Sequence, residues 1–290
     1  MTLEQLVQAS AERLAQAGVS FGHGTTNARD EAAWLVLWRL GLPLEETIDS
    51  RPVDAQQQAQ VQALIEQRIA SRQPAAYLTR EAWLQGVPFY VDERAIVPRS
   101  LIAEVLADGT IDAWLSADTR EVPDLCTGNG SLAVLAALAW PEVQVTGSDL
   151  SADALAVAQI NVERHGLQAR VRLCQSDGLS ALPGPFDLIL CNPPYVCQAS
   201  MDALPAEFLA EPPMALAGGE DGMDFVRQLL RQAPSRMREQ AVLVLEIGHE
   251  IEHFLAAFPQ LQGVWLETSA GDAQVVLLTR QALIDGVAAA

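Results

Sequence analysis

Apolar positions recur at helical spacing over residues 2–18, 28–41 and 54–72, where Leu, Val, Ile, Ala and Trp fall three and four apart. Breaks at Gly18-Val19-Ser20, Gly41-Leu42-Pro43 and around Arg51-Pro52 separate the three runs, which predicts a small helical domain. Residues 81–97 change to an alternating, aromatic-rich pattern broken by Gly86 and Pro88, as in a hairpin. From about residue 120 short apolar runs alternate with helical stretches. The strand candidates are Glu121–Cys126, Gln144–Ser148, Arg170–Cys174, Phe186–Cys191, Ala241–Ile247, Val264–Glu267 and Gln274–Leu278. This alternation predicts a mostly parallel sheet covered on both faces. The expected division is 1–80 helical, 81–98 a hairpin linker and 99–290 the sheet-bearing domain.

Ligands of open α/β sheets bind at the carboxyl ends of the strands, near the topological switch point. The run Phe186–Cys191 ends in Asn192-Pro193-Pro194-Tyr195. Two successive prolines cannot continue a ladder, so the strand must stop and turn outward. Such a stiff loop can grip a planar amino group. The Asn192 side-chain oxygen and the Pro193 carbonyl would accept its two hydrogens, with Tyr195 packed on its plane. The first strand runs into Asp124-Leu125-Cys126-Thr127-Gly128-Asn129-Gly130 and an Ala/Leu-rich helix. Its glycines allow a tight turn and close approach of the backbone to a ligand. Nineteen residues past Gly130, Asp149 ends the second strand, where a carboxylate can accept hydrogen bonds from both hydroxyls of a ribose. Ser176-Asp177-Gly178 follows the third strand, placed to meet an adenine edge.

Gly128-x-Gly130-x-x-Ala133 with Asp149 would equally suit a nicotinamide dinucleotide, and so a dehydrogenase. A dinucleotide sets its pyrophosphate at the helix N-terminus, whereas an acid such as Asp124 before the glycines suits an ammonium or a sulfonium. A dehydrogenase also leaves Asn192–Tyr195 without a role. S-adenosylmethionine accounts for both motifs, having adenine, ribose, a cationic sulfur and an amino-acid end but no phosphate. His249-Glu250-Ile251-Glu252-His253 matches the pattern of zinc peptidases, with both histidines expected on one helical face. Only His23 and His165 remain as further histidines, so no third ligand is evident and no metal is expected.

Charge narrows the choice of partner. The 290-residue chain is 50% apolar and carries a formal net charge of −19, and all 18 of its basic residues are Arg. Residues 1–95 hold 8 Arg against 12 acids, and residues 96–290 hold 10 Arg against 25 acids. The motif-bearing part therefore repels a phosphate backbone and would attract a basic protein. That counts against DNA or RNA adenine methyltransferases, which also use Asn-Pro-Pro-Tyr on a conjugated amino group but must hold a nucleic acid. The four cysteines, Cys126, Cys174, Cys191 and Cys197, lack C-x-x-C spacing and read as small buried apolar residues of a reducing compartment. Residues 1–5 carry an acid and no basic run, unlike a signal peptide, and no uncharged apolar stretch approaches 18 residues. A cytoplasmic protein with no membrane association is expected.

The Gly-x-Gly turn, the ribose Asp and the Asn-Pro-Pro-Tyr loop, in this order, resemble a class I S-adenosylmethionine-dependent methyltransferase of the amino-methylating kind. With the helical region and hairpin ahead of them, the resemblance extends over nearly the whole chain to the HemK-like protein-(glutamine-N(5)) methyltransferases. Within that family the chain is most similar to the branch that modifies ribosomal protein three of the large subunit. The segments that carry this are Phe21-Gly22-His23-Gly24-Thr25, Pro74-Ala75-Ala76-Tyr77-Leu78, and Phe89-Tyr90-Val91-Asp92-Glu93-Arg94 leading to Val97-Pro98-Arg99-Ser100. Met201-Asp202-Ala203-Leu204-Pro205, Glu211-Pro212 and Asp221-Gly222 add to them. The release-factor branch would show Pro-Glu-Thr-Glu after Pro98-Arg99, where this chain has Ser100-Leu101-Ile102-Ala103. Three positions depart from the pattern: Leu101, where the ribosomal branch implies Pro; Asn129, where it implies a small residue; and Gly178, where some relatives have an aromatic to cover the adenine.

The resemblance implies a Rossmann-like, seven-stranded, mostly parallel sheet behind a small helical domain and a β-hairpin. It implies methyl transfer to a glutamine side-chain amide, with Asn192, Pro193 and Tyr195 catalytic, and Asn192–Tyr195 and Arg99 meeting the substrate. The donor would rest on Asp124, Cys126, Thr127, Gly128, Asn129, Gly130, Asp149, Leu150, Asp177, Gly178 and Asn192. S-adenosylhomocysteine would leave as product. The helical domain would recognise the target, expected to be a basic, unassembled ribosomal protein and not a nucleic acid. A module that binds such a protein without turnover is the reading of a different class.

Overall fold

The computed structural model describes residues 1–287, so the last three residues of the expected 99–290 domain lie outside the described residues. Three helices open the chain: α1 (Leu3–Gln16), α2 (Ala28–Leu40) and α3 (Ala55–Ser71), followed by the short α4 (Ala75–Thr79). Each long helix starts where a polar side chain takes up a free backbone N–H: Thr2 and Asp54 in capping boxes with Gln5 and Gln57, and Asn27 on the Asp30 N–H. Leu3, Leu6, Leu14, Leu35, Val36, Val61 and Ile65 pack together inside this bundle.

The hairpin is shorter than its sequence pattern suggests. Strands β1 (Ala82–Leu84) and β2 (Val87–Phe89) pair around Gln85-Gly86, both with positive φ, which is a two-residue hairpin turn. Pro88 sits within β2, which has no partner on its other side and so tolerates the missing N–H. Residues 90–101 form an irregular arm over the sheet.

Beyond the arm the elements are α5 (Ile102–Ala107), β3 (Glu121–Leu125), α6 (Ser131–Ala139), β4 (Gln144–Asp149), α7 (Ala152–Arg164), β5 (Val171–Gln175) and β6 (Phe186–Cys191). Then come α8 (Gln198–Asp202), α9 (Ala206–Leu209), α10 (Asp224–Gln232), β7 (Met237–Glu246), α11 (Ile251–Ala257), β8 (Val264–Thr268), β9 (Gly271–Thr279) and α12 (Arg280–Val287). The seven-stranded sheet has the order β5-β4-β3-β6-β7-β9-β8, parallel except that β9 runs against both its neighbours. Alternate residues of the central strands feed opposite layers. Leu188 and Leu190 join α5 and α6 on one face, while Ile189 and Cys191 join α10, α11 and α12 on the other. Burial on both faces is why these strands read as continuous apolar runs. The chain order reverses between β3 and β6, and the carboxyl ends of those two strands open a cleft there.

Candidate active site

The cleft has a volume of about 600 Å³, within the usual range for a small-molecule site. Its walls include Cys126–Asn129 after β3, Asp149 and Leu150 at the end of β4, Asp177 and Gly178 after β5, and Asn192–Tyr195 after β6. Arg99 closes it from the arm. Thus the structure brings to one cavity every residue expected to meet the donor or the substrate amide except Asp124 and Gly130.

Those two lie just behind the wall, for reasons visible in their contacts. Asp124 is fully buried, and one carboxylate oxygen accepts from Thr127 Oγ1 at 2.5 Å and from the Ala133 N–H at 2.9 Å. It therefore caps the first turn of α6 from the neighbouring strand, a favourable place for an acid at a helix N-terminus. It does so because Gly130, at the cap position, has no side chain to offer. Burial pushes the Asp124 carboxyl up to about 7. Gly130 has φ +82°, and a Cβ there would lie 3.0 Å from the Ala158 Cβ, so its absence lets α7 pack close. Cys126, between these two residues, takes φ +56°, a costly value for a residue with a side chain, at the start of the loop after β3.

Asp149 joins two turns: its oxygens accept from the Gly128 and Ser151 N–H groups, each at 2.9 Å. Burial raises its pKa. Asn129 is 2% exposed, and its Nδ2 has no hydrogen-bond partner among the described residues although it lies on the cleft wall. A buried donor of this kind needs an acceptor, which a ligand or a water in the cleft can supply. Gly178 leaves room for an aromatic ring from another element. A Cβ there would sit 3.4 Å from the Phe225 ring, and Phe225, in α10, lines the cleft.

On the facing side, Asn192 and Pro193 line the cleft, and neither the Asn192 side-chain amide nor the Pro193 carbonyl makes a hydrogen bond to the described residues. The loop itself is firmly held. Tyr195 donates its hydroxyl to Glu246 at 3.2 Å, and its ring lies against Gly248, where a Cβ would come within 2.4 Å of it and φ is +54°. Glu246 also accepts from Ser100 Oγ at 2.6 Å and from the Leu101 N–H at 2.9 Å. A proline at 101 could not make that last bond, so the departure at this position has a structural use. Burial raises the Glu246 carboxyl.

Sequence reasoning missed Glu246, Phe225, Phe208 and Glu211. The first had a signal, since a carboxylate closing the apolar run Val242–Leu245 is out of place in a buried strand. Phe225 and Phe208 lie outside any motif, and Glu211 stood in the Glu211-Pro212 segment without a role assigned to it. The His249–His253 pattern falls otherwise than expected: α11 begins at Ile251, so His249 precedes the helix and the two histidines do not share a helical face. Glu250 lies between them, 3.2 Å from His249 Nε2 and 2.5 Å from His253 Nδ1, and accepts the Cys197 N–H at 3.2 Å. Cys197, Glu250 and His253 gather their donor atoms within 4.8 Å, and the hydrogen bonds to Glu250 make the group a tie between the loop after β6 and α11. All four cysteines are free.

Residues 5–79 match a family described as the PrmC N-terminal domain, and residues 110–240 match the Methyltransferase small domain. The chain is 52% identical over 289 residues to the ribosomal protein uL3 glutamine methyltransferase of Bordetella pertussis, covering 97% of this chain and 96% of that one. It is 49% identical to the protein of the same description from Burkholderia pseudomallei, covering 96% and 94%. Among solved structures, the hMettl16 catalytic domain in complex with MAT2A 3'UTR hairpin 6 overlays with a TM-score of 0.50, at 12% identity, over 77% of this chain and 81% of that one. At that identity the last likeness speaks for the fold alone.

Proposed function

The chain belongs to the family of ribosomal protein uL3 glutamine methyltransferases, and from that membership we propose that it methylates the side-chain amide nitrogen of a glutamine in this ribosomal protein. The observation that carries the site assignment is the loop at the end of β6, where Asn192 and Pro193 line the cleft and neither the Asn192 side chain nor the Pro193 carbonyl is hydrogen-bonded to the described residues.

S-adenosylmethionine, when bound, supplies an electrophilic methyl group on a cationic sulfur and leaves as S-adenosylhomocysteine. The cleft fits it. The orphaned Asn129 amide offers a donor to its carboxylate, Asp149 offers acceptors to its ribose, and Asp177, Gly178 and Phe225 frame space for its adenine. Thr127, Gly128, Cys126 and Leu150 complete that side, while Asp124 and Gly130 act indirectly by shaping the turn.

A glutamine amide is a poor nucleophile because its nitrogen lone pair is delocalised into the carbonyl. Asn192 and Pro193 accept hydrogen bonds from both of its N–H groups, which moves electron density onto nitrogen and aims it into the cleft; one of these protons passes to water as the methyl joins the nitrogen. Tyr195, braced by Glu246 and Gly248, holds the amide plane, and Arg99 stands at the entrance of the chain that bears it. Positioning and fixed dipoles supply the catalysis, and the reading requires no metal. The acidic charge of residues 96–290 supports a basic, unassembled protein as partner and disfavours direct contact with nucleic acid. No helix among the described residues is long and apolar enough to cross a membrane, in keeping with a cytoplasmic reaction.

Incubation with labelled S-adenosylmethionine and unmodified uL3, with release factors in parallel, tests this reading. Label should appear on uL3 and be lost in Asn192→Ala. Label confined to release factor would overturn the target, and label on neither would overturn the reaction.

A further inference from the structure

Between β6 and α10 the chain leaves the sheet and passes through two short helices, α8 and α9, across one side of the cleft. Helices this short do not hold themselves together, so their position is imposed from outside. Two buried acids impose it. Glu207, 1% exposed, accepts from Arg68 on α3 at 3.4 Å and from Arg72, the residue that caps the end of α3, at 3.0 Å. Arg68 is itself fully buried and is shared with Glu31 at 2.9 Å and with the Ser20 carbonyl at 3.0 Å. Four residues on, Glu211 takes both nitrogens of Arg99, each at 2.7 Å, and the Val97 N–H at 2.9 Å, with His23 Nε2 at 3.3 Å. Phe208, between the two acids, packs against His23 with ring centroids 4.2 Å apart and planes tilted by 44°, and carries the Arg99 guanidinium over its face at 5.5 Å.

Apolar residues would seal this seam as well and at less desolvation cost. Buried ion pairs instead penalise any arrangement that separates them, so they set geometry more than they add stability. What they hold in place is a wall with exposed apolar side chains. Leu209 is 61% exposed and Met214 is 50% exposed, and Met214 also lines the cleft. A polypeptide that enters the cleft on this side meets Met214 at its wall, with Leu209 exposed on the same connection.

We propose that residues 201–216 are the polypeptide-binding wall of the cleft, that Leu209 and Met214 seat the substrate chain beside its target glutamine, and that the helical bundle sets the wall's position through Glu207 and Glu211. This rests on the glutamine-methylating reading above. The bundle then acts on catalysis as a positioning element, without touching the reacting atoms.

Steady-state kinetics of the full chain with unmodified uL3, alongside calorimetric S-adenosylmethionine affinity, tests it. Leu209→Ser and Met214→Ser should each raise KM for the protein roughly tenfold, with kcat and donor affinity within about threefold of wild type. Glu207→Gln should do the same, as should Arg72→Gln, a partly exposed partner that serves if the first variant fails to fold. Unchanged KM in both rim variants overturns the substrate wall. Unchanged KM in the anchor variants, or an equal loss of donor affinity, overturns the positioning role. A wild-type protein that binds donor yet labels no protein sinks the functional reading, and this inference with it.

Discussion

Asp124 and Glu211 are both buried carboxylates within reach of the same cleft, yet their chemistry diverges. Asp124, behind the donor loop, has only neutral partners, and burial drives it up to about 7. For Glu211 burial acts in the same direction, but the Arg99 charge and then His23 outweigh it and hold the carboxyl down to about 2. The donor side is one continuous strand-to-helix turn, whose geometry the covalent chain and the sheet enforce, so neutral dipoles suffice. The side bearing Asn192 brings together the bundle, the arm and a connection of short helices, and ion pairs join them there.

The comparison can be broken first at the reacting centre. Asn192→Ala removes an acceptor that no donor-side group replaces, so kcat should fall by an amount equivalent to about 2.7–4 kcal/mol, while donor affinity stays near wild type. Comparable loss of donor binding would show that the two sides are not separable. Next comes Glu211→Gln, which leaves Arg99 without its counter-charge. Urea denaturation should show a loss of about 3 kcal/mol, since removing one partner of a buried pair is costly.

The two acids also predict opposite pH dependences. The folded pKa of Asp124 lies above its ordinary 3.8, so its contribution to stability is fully present below about pH 4 and is lost as pH rises through about 7. Glu211 lies below its ordinary 4.5, so its contribution is present above about pH 5 and is lost as pH falls towards 2. Scanning calorimetry of Asp124→Asn should therefore show a gain in Tm over wild type at pH 8 that vanishes near pH 4. The Tm deficit of Glu211→Gln should shrink between pH 5 and pH 3. Parallel profiles for the two variants would remove the contrast. The smallest effect is expected for Phe225→Ala, which should weaken S-adenosylmethionine binding by about 1 kcal/mol, the scale of an aromatic contact, without altering KM for the protein.

Much of the architecture was legible because its signals are local. The caps at Thr2, Asn27 and Asp54 and the left-handed Gly41 mark helix ends within one or two residues of their sequence limits. The strands were visible as apolar runs, although β7 starts earlier, at Met237, because its exposed Arg238-Glu239-Gln240 carries no apolar signal. The donor turn and the Asn192–Tyr195 loop were readable because strand-to-turn chemistry is written in adjacent residues. Which of those residues would face the cavity was not. Asp124 and Gly130 occupy the right turn but serve helix capping and helix packing.

By itself, then, the sequence determined the order of elements, the parallel sheet and the two loops that meet at its switch point, since each depends on period, turn residues and neighbours in the chain. It also carried branch-like segments around His23, Tyr77, Arg99 and Glu211 without saying why they matter. Only the tertiary structure decided that His23 and Arg99 converge on Glu211, that Phe225 fills the space Gly178 leaves, and that Glu246 braces Tyr195. Those relations join residues separated by tens to more than a hundred positions, and their energies exist only once folding has removed the water between them.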